Sequence, residues 1–259
     1  MFFVTTTAPL YGLKHFIGLL MMLGLSAMYF VPLIIYRNKL KPEQKALVLK
    51  LTIIFMWLLE IIKFVILLRV YGNIPLGEFP YALCSTPLYL FPFVAFGKSK
   101  FSEFLKPSAF VVGLLAGAIS LLYPSNILGD TSSWFSFSQE MFPLRSFVYH
   151  TVMILFSVNM LLSGNYRPKK GDLFKAISVL LVLAAIAVLL NALIPNADFF
   201  MLGMGYGSPF AFLMDISKAL YILVMVAIAL FIITILYLPF ELMKKKAVDN
   251  NSLTTEKDA

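Results

Sequence analysis

Few side chains in this 259-residue sequence can do covalent chemistry, and one stands apart: Cys84 is the only cysteine, in Phe79-Pro80-Tyr81-Ala82-Leu83-Cys84-Ser85-Thr86-Pro87. A thiolate beside a general base is the arrangement of nucleophilic acyl transfer. One of only two histidines, His150, is the candidate base. In that chemistry Cys84 attacks an acyl ester, His150 accepts and returns the proton, and the Asn191 amide stabilises or orients the oxyanion. Taken singly, each has an ordinary structural reading. A lone membrane cysteine packs as a small hydrophobe, and a histidine or asparagine in a span bridges helices. A single cysteine also excludes an internal disulfide and a cysteine-rich metal site, so neither metal nor cofactor is expected.

Charged side chains surround this set in the sequence. Glu60 and Lys63 stand at i,i+3 on one helical face, as do Asp215 and Lys218, so each carboxylate can meet its ammonium. Arg69 and Arg145 have the fork geometry that holds a phosphate, and Asn196 is a further polar group for a substrate. The two charge pairs read as braces or walls of a polar pocket.

The elements carrying these residues must be membrane helices. Hydrophobic residues make up 60% of the chain and charged residues 13%, with mean hydropathy +0.88, far from the near-half and near-quarter of soluble domains. Apolar stretches of roughly 20 residues, enough to cross about 30 Å, fall near 16–36, 51–70, 81–97, 108–123, 143–163, 173–194 and 210–240. The expected fold is all-α: a seven-helix transmembrane domain over 1–246 and a disordered polar tail over 247–259. Pro80, Pro87, Pro92, Gly113 and Gly117 in the short third and fourth stretches predict bent or broken helices there.

Basic residues set the expected orientation. Arg37, Lys39, Lys41, Lys45 and Lys50 occupy the first connection, Lys98, Lys100 and Lys106 the third, Arg167, Lys169, Lys170 and Lys175 the fifth, and Lys244 to Lys246 the tail, while 71–80, 124–142 and 195–209 hold none. The positive-inside rule then puts the amino terminus outside and the carboxyl terminus in the cytoplasm, as for a multi-pass protein of the cell membrane. The net charge of +8 is thereby a topology signal and does not imply a nucleic-acid partner; membrane lipids and an acyl-lipid or small-molecule substrate are the expected partners.

Counting about 1.5 Å per residue, Glu60 falls near the midplane, Cys84 roughly 5 Å, His150 roughly 10 Å and Asn191 roughly 6 Å beneath the outer surface, with Arg69, Arg145 and Asn196 at the outer rim. The inner half reads as nearly pure hydrocarbon apart from Asn159 and Ser178. Polarity on one side only predicts a site open toward the outer face.

The ordered series Trp57-Leu58-Leu59-Glu60-Ile61-Ile62-Lys63, Phe79-Pro80-Tyr81-Ala82-Leu83-Cys84-Ser85, Gly117-Ala118 ahead of Leu122-Tyr123-Pro124, His150, Asn191 with Asn196 and Phe199-Phe200-Met201-Leu202 resembles the YwaF-like family of bacterial integral membrane proteins. That family resembles in turn a eukaryotic transmembrane acyltransferase family that places polyunsaturated acyl chains on ether phospholipids with a cysteine. The resemblance implies that Cys84 is the nucleophile and His150 the histidine of the fifth span. Two places depart from the pattern: Tyr149 stands where a second histidine is common, and Asn196-Ala197-Asp198-Phe199 where an Asn-Tyr pair is usual.

The expected function is a membrane-embedded, cysteine-dependent acyltransferase acting on lipid acyl esters. The alternative is a transporter or lipid-binding protein without covalent chemistry, using the same polar side and the broken third helix. A retinal-type photoreceptor fits poorly, because Asp215 and Lys218 lie three apart and the sixth span has no Trp, Tyr or interior Pro.

Overall fold

A computed structural model describes residues 10–255 except 37, 75, 125–126, 129–140 and 206–207. Among the described residues all regular structure is helical. The helices are α1 (Leu13–Tyr36), α2 (Pro42–Tyr71), α3 (Pro87–Phe96), α4 (Lys100–Val111), α5 (Gly117–Leu122), α6 (Met141–Leu162), α7 (Asp172–Leu193) and α8 (Lys218–Thr255). A π-helical turn, Val112–Ala116, joins α4 to α5, and the continuous 100–122 rod is one of six helices long and apolar enough to cross a membrane. The expected third span is the exception: it divides into a 3-10 turn, Leu83–Ser85, and the ten-residue α3.

The two central helices are the 100–122 rod and α6, whose apolar windows are 67% and 61% buried, against 11% for α1, α7 and α8. The outer three keep exposed leucine, isoleucine and phenylalanine over most of their surface, as helices that face lipid do. Close approach at the centre depends on small residues. A Cβ on Gly113 would lie 2.9 Å from the Met153 carbonyl oxygen and 2.8 Å from Phe91, and one on Gly117 would lie 2.8 Å from the His150 carbonyl oxygen. These two glycines, four apart across the π turn, let the rod lie directly on α6. Phe91 and Phe156 then stack at 3.8 Å between ring centres, tying α3 to α6.

Contacts along α2 fix the course of the third segment. Pro42 occupies the first turn of α2, and Gly72 closes it with φ 72 while its N–H bonds Leu68 O, the left-handed C-terminal cap that suits glycine. Lys63 Nζ reaches Glu78 O at 3.2 Å, Trp57 Nε1 donates to Leu88 O at 3.2 Å, and Lys50 Nζ lies 5.3 Å from the Phe96 ring centre. Positions fall along α2 as they rise along 78–96, so the segment runs antiparallel to α2 and ends beside Lys50.

At the Lys50 end of the bundle lies a polar network that composition did not suggest. Asp172 is fully buried and accepts from Tyr166 OH at 3.0 Å, the Lys169 N–H at 3.0 Å and Lys175 Nζ at 2.9 Å. Tyr166 OH also meets Tyr237 OH at 2.9 Å, and Tyr237 donates to Pro107 O at 3.0 Å. One carboxylate and two phenols thereby join α4, α7, α8 and the connection after α6. Burial first, then Tyr237 and Asp172, hold the Tyr166 phenol well above the ordinary tyrosine range. The polar sequence after 246, expected to be disordered, continues α8 as far as Thr255; positions 256–259 lie outside the described residues.

Candidate functional site

Local sequence explains where Cys84 sits. Pro80 lies outside any helix, and Pro87 is the first residue of α3. Ala82 is extended (φ −69, ψ 159), Ser85 N bonds Ala82 O at 2.9 Å, and the Thr86 hydroxyl donates to Leu83 O at 2.8 Å. Cys84 is therefore the middle residue of a 3-10 turn preceding α3. This turn packs against the π turn and against a second 3-10 turn, Phe199–Met201. The Cys84 side chain, partly buried, joins the core formed by α2, α3, α4, α6 and α8.

The nearest charges come from α2 and α6. Glu60, 6% exposed, is the hub: its Oε2 accepts from Arg145, and its Oε1 faces Lys63 Nζ at 3.5 Å. Lys63 also reaches Glu78 at 3.2 Å. Arg145 Nε donates to Leu59 O at 3.2 Å, and its guanidinium stands 4.6 Å from the centre of the Tyr149 ring. Arg145, Lys63 and Glu60 all act electrostatically on the Cys84 thiol, and Cys84 acts likewise on Tyr149. The expected Glu60/Lys63 pair is thus present, enlarged by Glu78 and Arg145. Arg145 is corrected: its side chain is 11% exposed and ion-paired, and does not stand free at the outer rim. A guanidinium with a carboxylate in register on the next helix is drawn inward, because pairing offsets its desolvation.

His150 lies beside this cluster on α6, 5% exposed. Its Nδ1 is 2.7 Å from Ser146 O, and since a carbonyl can only accept, Nδ1 carries the hydrogen and Nε2 the lone pair. That Nε2 is buried without a hydrogen-bond partner, as are Tyr149 OH and Glu60 Oε1. Buried polar atoms in a native fold nearly always have partners. Glu60 Oε1 still faces Lys63, but His150 Nε2 and Tyr149 OH, adjacent on α6, mark a place where a polar group from elsewhere would be welcome. No trio of His, Cys, Asp and Glu suited to a metal ion occurs among the described residues.

Other expected site residues are placed differently. Asn191 donates from Nδ2 to Phe199 O at 3.0 Å and accepts from Phe199 N at 2.8 Å, so it clamps the 196–204 loop. That loop is strained, with Asn196, Phe200 and Met201 all at φ near +58, a cost sustained only when surroundings over-determine the backbone. Asp198 Oδ1 accepts from the N–H groups of Gly203 and Met204, at 2.8 and 2.9 Å, and Tyr221 OH donates to Met201 O at 2.8 Å. Through Tyr81, whose ring meets Phe199 and Phe200 at 5.9 Å each, the clamped loop supports the Cys84 turn from the far side. Asn196 itself is exposed, as is Arg69 near the end of α2.

Asp215 and Lys218 are corrected. Both are exposed, and no ion pair joins them among the described residues. A 3-10 turn ends at Asp215 and α8 begins at Lys218, so the i,i+3 helical geometry that would bring them together is absent.

The site residues that composition and spacing missed are Glu78 and Tyr149. Glu78 lies in a connection expected to be outside the membrane, and only its return beside Lys63 reveals it. Tyr149 carried a signal, since it stands next to His150 and four residues after Arg145.

The fold and the cluster at Cys84 define the class: a multi-pass, all-helical integral membrane protein with a buried polar site among its central helices. The chain belongs to the TMEM164 family, whose model matches residues 10–237. No curated protein and no solved structure matches it.

Proposed function

We propose that this protein is a thiol-dependent acyltransferase of the cell membrane, with Cys84 as nucleophile and lipid acyl esters as substrates. The observation that supports it best is the cluster itself: a lone thiol in electrostatic reach of Arg145 and Lys63, with an imidazole nitrogen left bare on α6. The reactive form is the thiolate, so the chemistry needs a base to take the proton.

In this reading the Cys84 proton passes to His150 Nε2, and Ser146 O holds the other ring nitrogen in the tautomer that permits this. The thiolate sulfur attacks the ester carbonyl carbon, forming the C–S bond. Collapse of the tetrahedral adduct breaks the C–O bond, and the departing alkoxide takes the proton from His150. An acceptor hydroxyl or water then repeats the sequence in reverse, restoring the thiol. Glu60, Lys63, Glu78 and Arg145 set the potential and pin α2 to α6. Asn191 acts through the loop that supports the Cys84 turn.

The proposal extends to topology. Leu83–Phe96 makes the seventh crossing, short because α3 begins beside the middle of α2, and the basic connections face the cytoplasm with the amino terminus outside. The kinship to the YwaF-like proteins and their cysteine-using relatives belongs to the same proposal.

Intact-protein mass spectrometry after incubation with native lipids tests it. A mass gain of one acyl chain, absent from Cys84→Ala and discharged by added acceptor, is the expected result. A protein that carries no acyl group and still turns over or transports lipid as Cys84→Ala overturns it.

A further inference from the structure

The cluster contains a hydrogen-bond donor that no sequence motif assigns a role. Tyr149 is 2% exposed, yet its hydroxyl has no partner. A buried hydroxyl left unpaired has lost its hydrogen bond to water with nothing in return. Moving it to solvent is prevented by its neighbours: Arg145 covers the ring at 4.6 Å, the His150 ring stands edge-on at 5.7 Å, and the phenol is part of the central apolar core. A hydroxyl fixed in this way, with a guanidinium over its ring and the Cys84 side chain packed against the same core, is preorganised for a partner supplied during the reaction.

The chemistry limits what that partner is. When a thiolate adds to an ester, the carbonyl π pair moves to oxygen, and donors already in place at that oxygen lower the barrier. Asn191, the side chain first expected to do this, is hydrogen-bonded through both its oxygen and its nitrogen to Phe199. His150 Nε2 is a bare acceptor and cannot donate until it has taken the thiol proton. Of the unpaired buried atoms beside Arg145, Tyr149 OH is a neutral donor. Its hydrogen stays on the phenol throughout. The bond is made to the oxyanion and released when the carbonyl reforms.

We propose that Tyr149 OH is the oxyanion-stabilising donor of the Cys84 site. This rests on the thiol-transfer reading above. It assigns a catalytic residue to a position that otherwise reads as an aromatic brace between α6 and α2.

The test compares two reactions of the same thiol in the purified full-length protein in detergent micelles. The first is acylation by p-nitrophenyl myristate, in which the C–S bond forms through an oxyanion and p-nitrophenolate leaves. The second is alkylation by iodoacetamide, in which sulfur displaces iodide and no oxyanion forms. Tyr149→Phe keeps the ring and its cation contact and removes only the hydroxyl. It is expected to slow acylation by about 100-fold, the loss typical of one oxyanion donor, with the alkylation rate unchanged within about twofold. Equal slowing of both reactions, or no slowing of acylation, overturns the assignment and leaves the thiol-transfer reading in place. A wild-type protein that acylates no faster than Cys84→Ala overturns both. Should Tyr149→Phe fail to fold, 3-fluorotyrosine at 149 serves instead: as a stronger donor it raises the acylation rate alone, and a rate identical to wild type refutes the role.

Discussion

Replacing Glu60 by glutamine should destabilise the helix bundle more than any other single neutralisation in the site. Glu60 is 6% exposed and meets two cations, Arg145 through Oε2 and Lys63 through Oε1. The cluster of Glu60, Glu78, Lys63 and Arg145 is neutral as it stands, and Glu60→Gln leaves one net positive charge in a region shut off from water. Lys63 keeps Glu78 at 3.2 Å, but Arg145 retains no carboxylate, its contacts being the Leu59 carbonyl at 3.2 Å and the Tyr149 ring. Removing one partner of a buried pair costs about 3–5 kcal/mol. For a chain of this size each kcal/mol shifts the melting temperature by about 2–4 °C, so a drop of about 6–20 °C follows. Lys63→Met should cost much less, about 1 kcal/mol, because Glu60 still has Arg145 and Glu78 is 20% exposed on its side chain. The double variant Glu60→Leu with Arg145→Met removes both charges and should recover most of the loss, since an apolar pair in place of a buried ion pair is often neutral. Thermal unfolding in detergent, followed by circular dichroism for all four proteins, gives the ordering. If Lys63→Met costs as much as Glu60→Gln, or if the double variant melts no higher than Glu60→Gln, Glu60 is not the hub and the reasoning fails.

Two further perturbations probe the supports of the site. Gly113→Ala places a methyl against the Ser157 hydroxyl and 2.9 Å from the Met153 carbonyl oxygen; the carbonyl belongs to the α6 backbone and cannot turn aside, so a loss of about 1–3 kcal/mol is expected, only partly relieved by Ser157→Ala in the same unfolding assay. Alkaline pH tests the Tyr166 network. Because the folded protein holds the Tyr166 proton above the ordinary tyrosine range, the associated stability is intact below about pH 10 and is lost as pH rises toward the folded value; Tyr166→Phe should flatten that alkaline decline in a pH series of melting temperatures, and an unchanged slope would dismiss the network as its origin.

How legible the site was depends on the range of the interactions that build it. Glu60 with Lys63 was visible because i,i+3 spacing within a helix is a local property. The Asp215 and Lys218 spacing was identical, and the pair fails because the chain is not one continuous α-helix there, a matter settled by tertiary packing. Breaks in the third and fourth stretches could be anticipated from Pro87, Pro92, Gly113 and Gly117. Their forms, a 3-10 turn before Pro87 and a π turn at 112–116, could not. Arg145 shows the limit most clearly: residue counting placed it at the rim, whereas its carboxylate partner on α2 draws it into the core.

By itself, then, the sequence determined that this chain is helical and membrane-spanning, since composition and apolar run length act through solvent transfer and need no partner, and it singled out Cys84 and His150 by rarity alone. Only the tertiary structure decided which charges stand around Cys84, that Asn191 is occupied with Phe199, and that Tyr149 OH and His150 Nε2 are left unpaired. Those facts depend on which helices pack together and in what register, and the close approach of the rod to α6 at Gly113 and Gly117 leaves the π turn in contact with both the Cys84 turn and α6.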